Sequence, residues 1–236
     1  MIMKTILIFS LVLFNIQVLV QAGKPKTADD YMNMCVILPM EGASKTAPSP
    51  EPDLECPSFR EKSCCNTNVT ADFLENHVWG TVVNYVHCPE KPRLSPKCER
   101  LTHQEMCFFA CSPNLGPWIA KPYKYPDINH LDQAPICASQ CKKWWNACKE
   151  EYTCHKDWIA DMDWNVPEIN SCKEGSVCRK YKEFYSSATD FCNTIWHGAY
   201  KVVPDSEPCM VFAFDTSKPN PNTAVAQAAA EEKATA

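Results

Sequence analysis

The chain alternates between apolar stretches with helical spacing and proline-rich stretches with none. Residues 5–20 form an almost unbroken apolar run, preceded by Lys4 and followed by Val20-Gln21-Ala22. Compact residues at the last and third-last positions predict a signal peptide over 1–22, cleaved after Ala22. A membrane anchor is the alternative for a run of this length, but Asn15 and Gln17 interrupt it. A helix is predicted over 97–111. There Cys107 and Cys111 lie four apart on one face, and Glu105 and Phe109 lie four apart on a roughly opposite face. The strongest stripe covers 137–154, where Cys137, Cys141, Trp144, Cys148 and Tyr152 recur at helical spacing with Lys142, Lys143, Lys149 and Glu150 off it. Trp144 and Trp145 read as core rather than cofactor contacts. A third helix is expected over 187–200, carrying Cys192 and Trp196. Short β segments are expected at 81–87 and 209–214. Residues 39–57 contain five prolines and read as an irregular loop tied at its ends by Cys35 and Cys56. After Thr216 the chain turns Pro/Asn-rich and then Ala/Glu-rich, which predicts a fraying, flexible tail over 216–236.

Composition narrows the class. The net charge of −5 offers no clustered basic surface for nucleic acid, so no nucleic-acid partner is expected. With 45% apolar residues the chain is neither disordered nor collagenous, and it shows no repeat. Only 6 Gly leave little turn chemistry for a large sheet. No second apolar segment follows the first, and the end of the chain is small and charged, so neither a lipid anchor nor a membrane anchor is expected. The prediction is a secreted, extracellular protein. Asn68-Val69-Thr70 is the one N-glycosylation sequon, which places Asn68 on the surface.

All 16 Cys fall in the mature chain. An even count in an oxidising compartment allows eight disulfides, each stabilising by about 2–4 kcal/mol through restriction of the unfolded chain. Zinc would need Cys-x-x-Cys knuckles or Cys/His clusters, and no metal site is expected. A catalytic thiol has no place where every cysteine can be paired. A secreted phospholipase would carry His-Asp after its Cys-Cys pair, whereas Asn66-Thr67-Asn68 follows Cys64-Cys65. The 6 His are scattered, and neither a Ser/His/Asp order nor a nucleotide loop stands out, so the chain is not expected to be an enzyme. The abundant Trp and Phe suit a slot for a flat heteroaromatic ring, although tryptophan is also a usual core filler in small secreted domains.

Three motifs add to this. Cys107-Phe-Phe-Ala-Cys111-Ser-Pro-Asn-Leu-Gly-Pro-Trp118 resembles the signature of folate receptors. So do Cys141-x-x-Trp144-Trp145-x-x-Cys148-x-x-x-Tyr152-Thr153-Cys154 and Ile195-Trp196-x-x-x-Tyr200-Lys201-Val202. The resemblance extends over about 35–222. The same family includes egg riboflavin-binding proteins, and Pro48-Ser-Pro-Glu-Pro52, Phe108-Phe109, Asp157-Trp-Ile-Ala-Asp161 and Ala188-Thr-Asp-Phe-Cys192 lean that way. The resemblance implies a single α+β domain over 23–215, mainly helical, loop-rich and disulfide-stapled, with short β segments and a deep vitamin pocket. It implies the pairs Cys35–Cys64, Cys56–Cys107, Cys65–Cys111, Cys88–Cys178, Cys98–Cys148, Cys137–Cys209, Cys141–Cys192 and Cys154–Cys172.

The ligand set that the resemblance implies is Glu105, Phe109, Trp158, Trp164, Trp196, Met162 and Tyr85. Glu105 stands where folate receptors hold the pterin with an Asp, and Phe109 where a Tyr stacks on the ring. Phe109 and Trp196 match the two rings that sandwich the isoalloxazine in the riboflavin proteins. The family's Trp-Arg pair reads Pro126-Asp127 here, its His-Lys pair reads Ile159-Ala160, and a pterin-bonding Ser reads Ala199. Cations that would meet the glutamate tail of folate are thus missing, and Asp127 would repel it. The expected function is a secreted carrier for a flat vitamin, riboflavin first and folate or a pterin next, bound as ligand and not as a catalytic cofactor. The alternative is an extracellular recognition or structural protein on the same scaffold. Candidate macromolecular partners are a cell-surface receptor or an egg or yolk protein. Glu105 accepting the ligand's N–H groups predicts affinity that falls in acid.

Overall fold

The computed structural model describes residues 27–38, 44–70, 78–79, 83–120, 129–164 and 170–235. The signal segment, the proline at 39 and the Pro126-Asp127 pair lie outside the described residues. In chain order the helices are α1 (Ala28–Met32), α2 (Thr67–Thr70), α3 (Pro96–Cys111), α4 (Ala138–Cys148), α5 (Tyr181–Phe184), α6 (Ala188–Thr194) and α7 (Asn222–Thr235). The strands used below are β1 (Ser44–Ser49), β2 (Ser63–Cys65), β3 (Ala134–Cys137), β4 (Tyr152–Thr153), β5 (Arg179–Lys180) and β6 (Tyr200–Val203). The strands form two-stranded sheets, so the architecture is the expected helical, loop-rich α+β domain.

Helix α3 starts where Ser95 accepts a bond from the Cys98 N–H at 3.4 Å, with Pro96 in the first turn. It stops at Ser112, whose extended backbone is what the following Pro113 requires. Helix α4 packs against both α3 and α6. Its first turn is capped from a distance, by Asp205 Oδ1 accepting the Ser139 N–H at 2.9 Å.

This helix is shorter than the stripe over 137–154 predicts. The chain turns after Cys148, and Tyr152–Thr153 pairs antiparallel with Arg179–Lys180 instead. Helix α6 also ends early. Ser187 caps it by accepting the Asp190 N–H at 3.1 Å, but His197 (φ 53°) and Gly198 (φ 75°) take left-handed conformations that no helix continues through. The chain then enters β6, which runs parallel to β3 with Tyr200 opposite Ala134. One loop expectation and one β expectation change. Residues 44–49 form a strand within the proline-rich loop, paired with β2, while 209–214 contribute only a bridge between Met210 and Ile136.

The eight disulfides pair as the resemblance implies, from Cys35–Cys64 to Cys154–Cys172, and no cysteine is free. The main core centres on Trp144, packed edge-on against Phe191 and Phe212 at 4.6 and 5.6 Å between ring centroids.

The tail does not fray as expected. Residues 222–235 form α7, whose Ala226 and Ala230 are fully buried against Met32 of α1. Small residues allow close approach, and Gly116 shows how close. A Cβ there would lie 1.9 Å from the Tyr31 carbonyl oxygen. The side chain of Asn222 fixes the start of α7 by exchanging two 2.9 Å bonds with the backbone of Val211.

Candidate functional site

Glu105 sits in the middle of α3, on the side turned away from Cys107, and is buried to 1% exposure. The Tyr200 hydroxyl, delivered by β6, donates to Glu105 Oε1 at 2.5 Å. Burial pushes the Glu105 carboxyl up to about 8, although Tyr200 and the Trp196 N–H both favour its charged form. The acid form therefore predominates at neutral pH. With Tyr200 already on Oε1, Oε2 is left to carry the proton. Burial and the Glu105 charge together hold the Tyr85 and Tyr200 hydroxyls well above the ordinary tyrosine value.

The tryptophans close the cluster. Trp158 is buried and meets Trp196 edge-on, with ring centroids 5.1 Å apart and planes at 84°. Tyr85 lies 6.1 Å from Trp158, and His87 meets its ring at 4.4 Å. Behind it, the Asn170 side-chain amide meets His87 Nε2 at 2.8 Å and Met162 Sδ at 3.3 Å. Trp164 is half-buried and donates its N–H to the Trp158 carbonyl at 2.8 Å.

Three polar atoms of this cluster, Glu105 Oε2, Trp158 Nε1 and Trp196 Nε1, are buried and reach no hydrogen-bond partner among the described residues. The Trp196 indole N–H lies close enough to the carboxyl to favour its charged form. Buried polar groups are nearly always paired, and an unpaired one costs about 1–3 kcal/mol. Three such atoms lie together in this cluster.

The structure thus brings together Glu105, Tyr85, Trp158 and Trp196, with Met162 and Trp164 directly behind them. Phe109 stands one turn along α3 from Glu105. It is half-buried and packs on the core, and it makes no direct ring contact with Trp196. Sequence reasoning missed Tyr200 as a site residue although it lies in the Ile195–Val202 motif, and it gave no sign of His87 or Asn170. Acid weakening through Glu105 does not follow either, because burial has already protonated that group at neutral pH.

A separate cavity of about 170 Å³ lies on the opposite side of α3, between Phe59, Arg100, His103, Cys107 and Phe212. It touches neither Glu105 nor the tryptophans. Burial lowers the His103 imidazole to about 4. His103 stands beside Cys56 and Cys107, but both sulfurs are spent in one disulfide and supply no thiolate to a metal.

The family model described as the folate receptor family matches residues 35–211. The chain belongs to the folate receptor family. A riboflavin-binding protein of Dromaius novaehollandiae is 34% identical over 173 residues, covering 72% of this chain and 69% of the relative. Folate receptor alpha of Homo sapiens is 32% identical over 188 residues, covering 78% and 72%. Folate receptor alpha of Bos taurus is 30% identical over 212 residues, covering 88% and 85%. In this family member the matched span contains every residue of the buried aromatic and acidic cluster.

Proposed function

We propose that this family member is a secreted, non-catalytic carrier that holds a flat heteroaromatic vitamin against Trp158 and Trp196, with Phe109 on the opposing side and Glu105 bonding the ring edge. The observation that carries this reading is the trio of buried, unpartnered polar atoms on the aromatic cluster. A planar ring with polar edges would satisfy them, and each stacked ring adds about 0.5–1.5 kcal/mol beyond area burial.

The protonation state favours riboflavin over folate. With Oε1 already accepting from Tyr200, a neutral Glu105 offers its Oε2–H as a donor, which complements a ring carbonyl of a flavin imide edge. The aminopyrimidine edge of a pterin presents donors side by side and asks for a carboxylate. Secretion is supported by the predicted signal segment and the eight disulfides, and no helix among the described residues is long and apolar enough to cross a membrane. Glycosylation at Asn68 is supported by the exposure of that side chain.

Titration of riboflavin and, separately, folic acid with the purified protein tests the reading. Quenching of flavin and tryptophan emission at about micromolar riboflavin, with weaker folate binding, is expected. No response to either vitamin leaves the recognition-protein alternative.

A further inference from the structure

The two tryptophans are carried by turns far apart in sequence. Asp157 opens the first turn. Its Oδ1 accepts the Ile159 and Ala160 N–H groups at 3.0 and 2.9 Å, and its Oδ2 meets His197 Nδ1 at 2.6 Å. His197 directly follows Trp196, just as Asp157 directly precedes Trp158. Beside this bond, the Trp158 N–H donates to the Ile195 carbonyl at 2.9 Å. A single backbone bond is a hinge about which two turns can rotate. A second bond alongside it removes that freedom.

We propose that Asp157 and His197 are positioning residues for ligand binding. Their side-chain bond locks the Trp158 turn to the Trp196 turn and presets the edge-to-face angle of the two rings before a ligand arrives. The inference rests on the vitamin-carrier reading above. The backbone supports it, because His197 holds a left-handed conformation (φ 53°) that carries a cost for any residue but glycine. That cost is offset where the surrounding bonds fix the turn, and the bond to Asp157 is such a bond. Preorganisation of this kind acts on affinity by removing an ordering cost, and a wall displaced by about 1 Å can weaken a positioned contact by about a hundredfold.

The test compares full-length wild type with His197→Gly, since Gly adopts the left-handed conformation without strain and has no side chain to make the bond. The first readout is the indole exciton couplet in circular dichroism of the free protein, assigned by its loss in Trp196→Phe. The second is the riboflavin dissociation rate. His197→Gly is expected to diminish the couplet and speed dissociation about tenfold, with association little changed. Asp157→Asn keeps the turn's acceptor and a neutral bond to the imidazole, and should fall between the two. His197→Asn, whose Nδ2 takes the place of the imidazole Nδ1 and can keep the bond, should stay close to wild type, and if His197→Gly fails to fold, Asp157→Ser, which can still cap the turn but is too short to reach His197, replaces it. An unchanged couplet, or a lost couplet with an unchanged dissociation rate, overturns the proposal. If the wild type binds no riboflavin, the carrier reading fails, while the couplet still decides whether the pair sets the ring angle.

Discussion

Trp144 and Trp196 are both buried tryptophans in the same domain, and they differ in what their N–H groups do. Trp144 donates to Thr102 Oγ1 at 3.0 Å inside a shell of Phe191 and Phe212, so its one polar atom is answered. Trp196 is 8% exposed and Trp158 1%, yet neither N–H finds a partner among the described residues, and the nearest acid is held in its neutral form. Burial alone therefore does not separate a core from a site. The difference lies in unanswered polar atoms gathered on aromatic rings. One region is complete as folded, and the other carries a standing cost that a ligand can remove.

The largest effect expected from this contrast is on stability against pH. An exposed carboxyl titrates near 4.5, whereas folded Glu105 titrates near 8. Between those values the folded state keeps a proton that the unfolded state has lost, so stability falls as pH rises through that window. Glu105→Gln should remove this slope and raise unfolding stability at about pH 8 by on the order of a few kcal/mol. Urea unfolding at several pH values checks it, and equal slopes for both proteins would remove the neutral-acid account.

A smaller effect should follow from one substitution made at both tryptophans. Trp144→Phe strands Thr102 and opens space in the core, costing about 1–3 kcal/mol of stability with riboflavin affinity little changed. Trp196→Phe opens comparable space but strands no partner like Thr102, so it should cost less stability than Trp144→Phe while riboflavin affinity falls at least about tenfold. Paired denaturation and binding curves decide it. Matching losses at the two positions would erase the distinction between core and site.

The helices were legible in the sequence where a local signal started or stopped them, as Ser95-Pro96 and Ser112-Pro113 do for α3. They were misread where a distant partner decided. Tyr152 continues the stripe of α4, but pairing with Lys180 draws it into a strand. Helix α7 escaped because its contact with α1 is made by alanines, which carry little apolar signal yet pack closely. The disulfide pairing followed from family resemblance, not from spacing. Glu105 was expected as a ligand residue, but its protonation is set by burial that only the fold reveals, opposed by the bond from Tyr200, 95 residues away.

The most direct measurement is the riboflavin dissociation constant across about pH 6 to 9.5. With neutral Glu105 as the binding form, affinity should stay flat below about 8 and then fall toward tenfold per pH unit, and Glu105→Gln should abolish that fall. Affinity that instead rises with pH through 8, or riboflavin binding that is absent at every pH, would contradict the account.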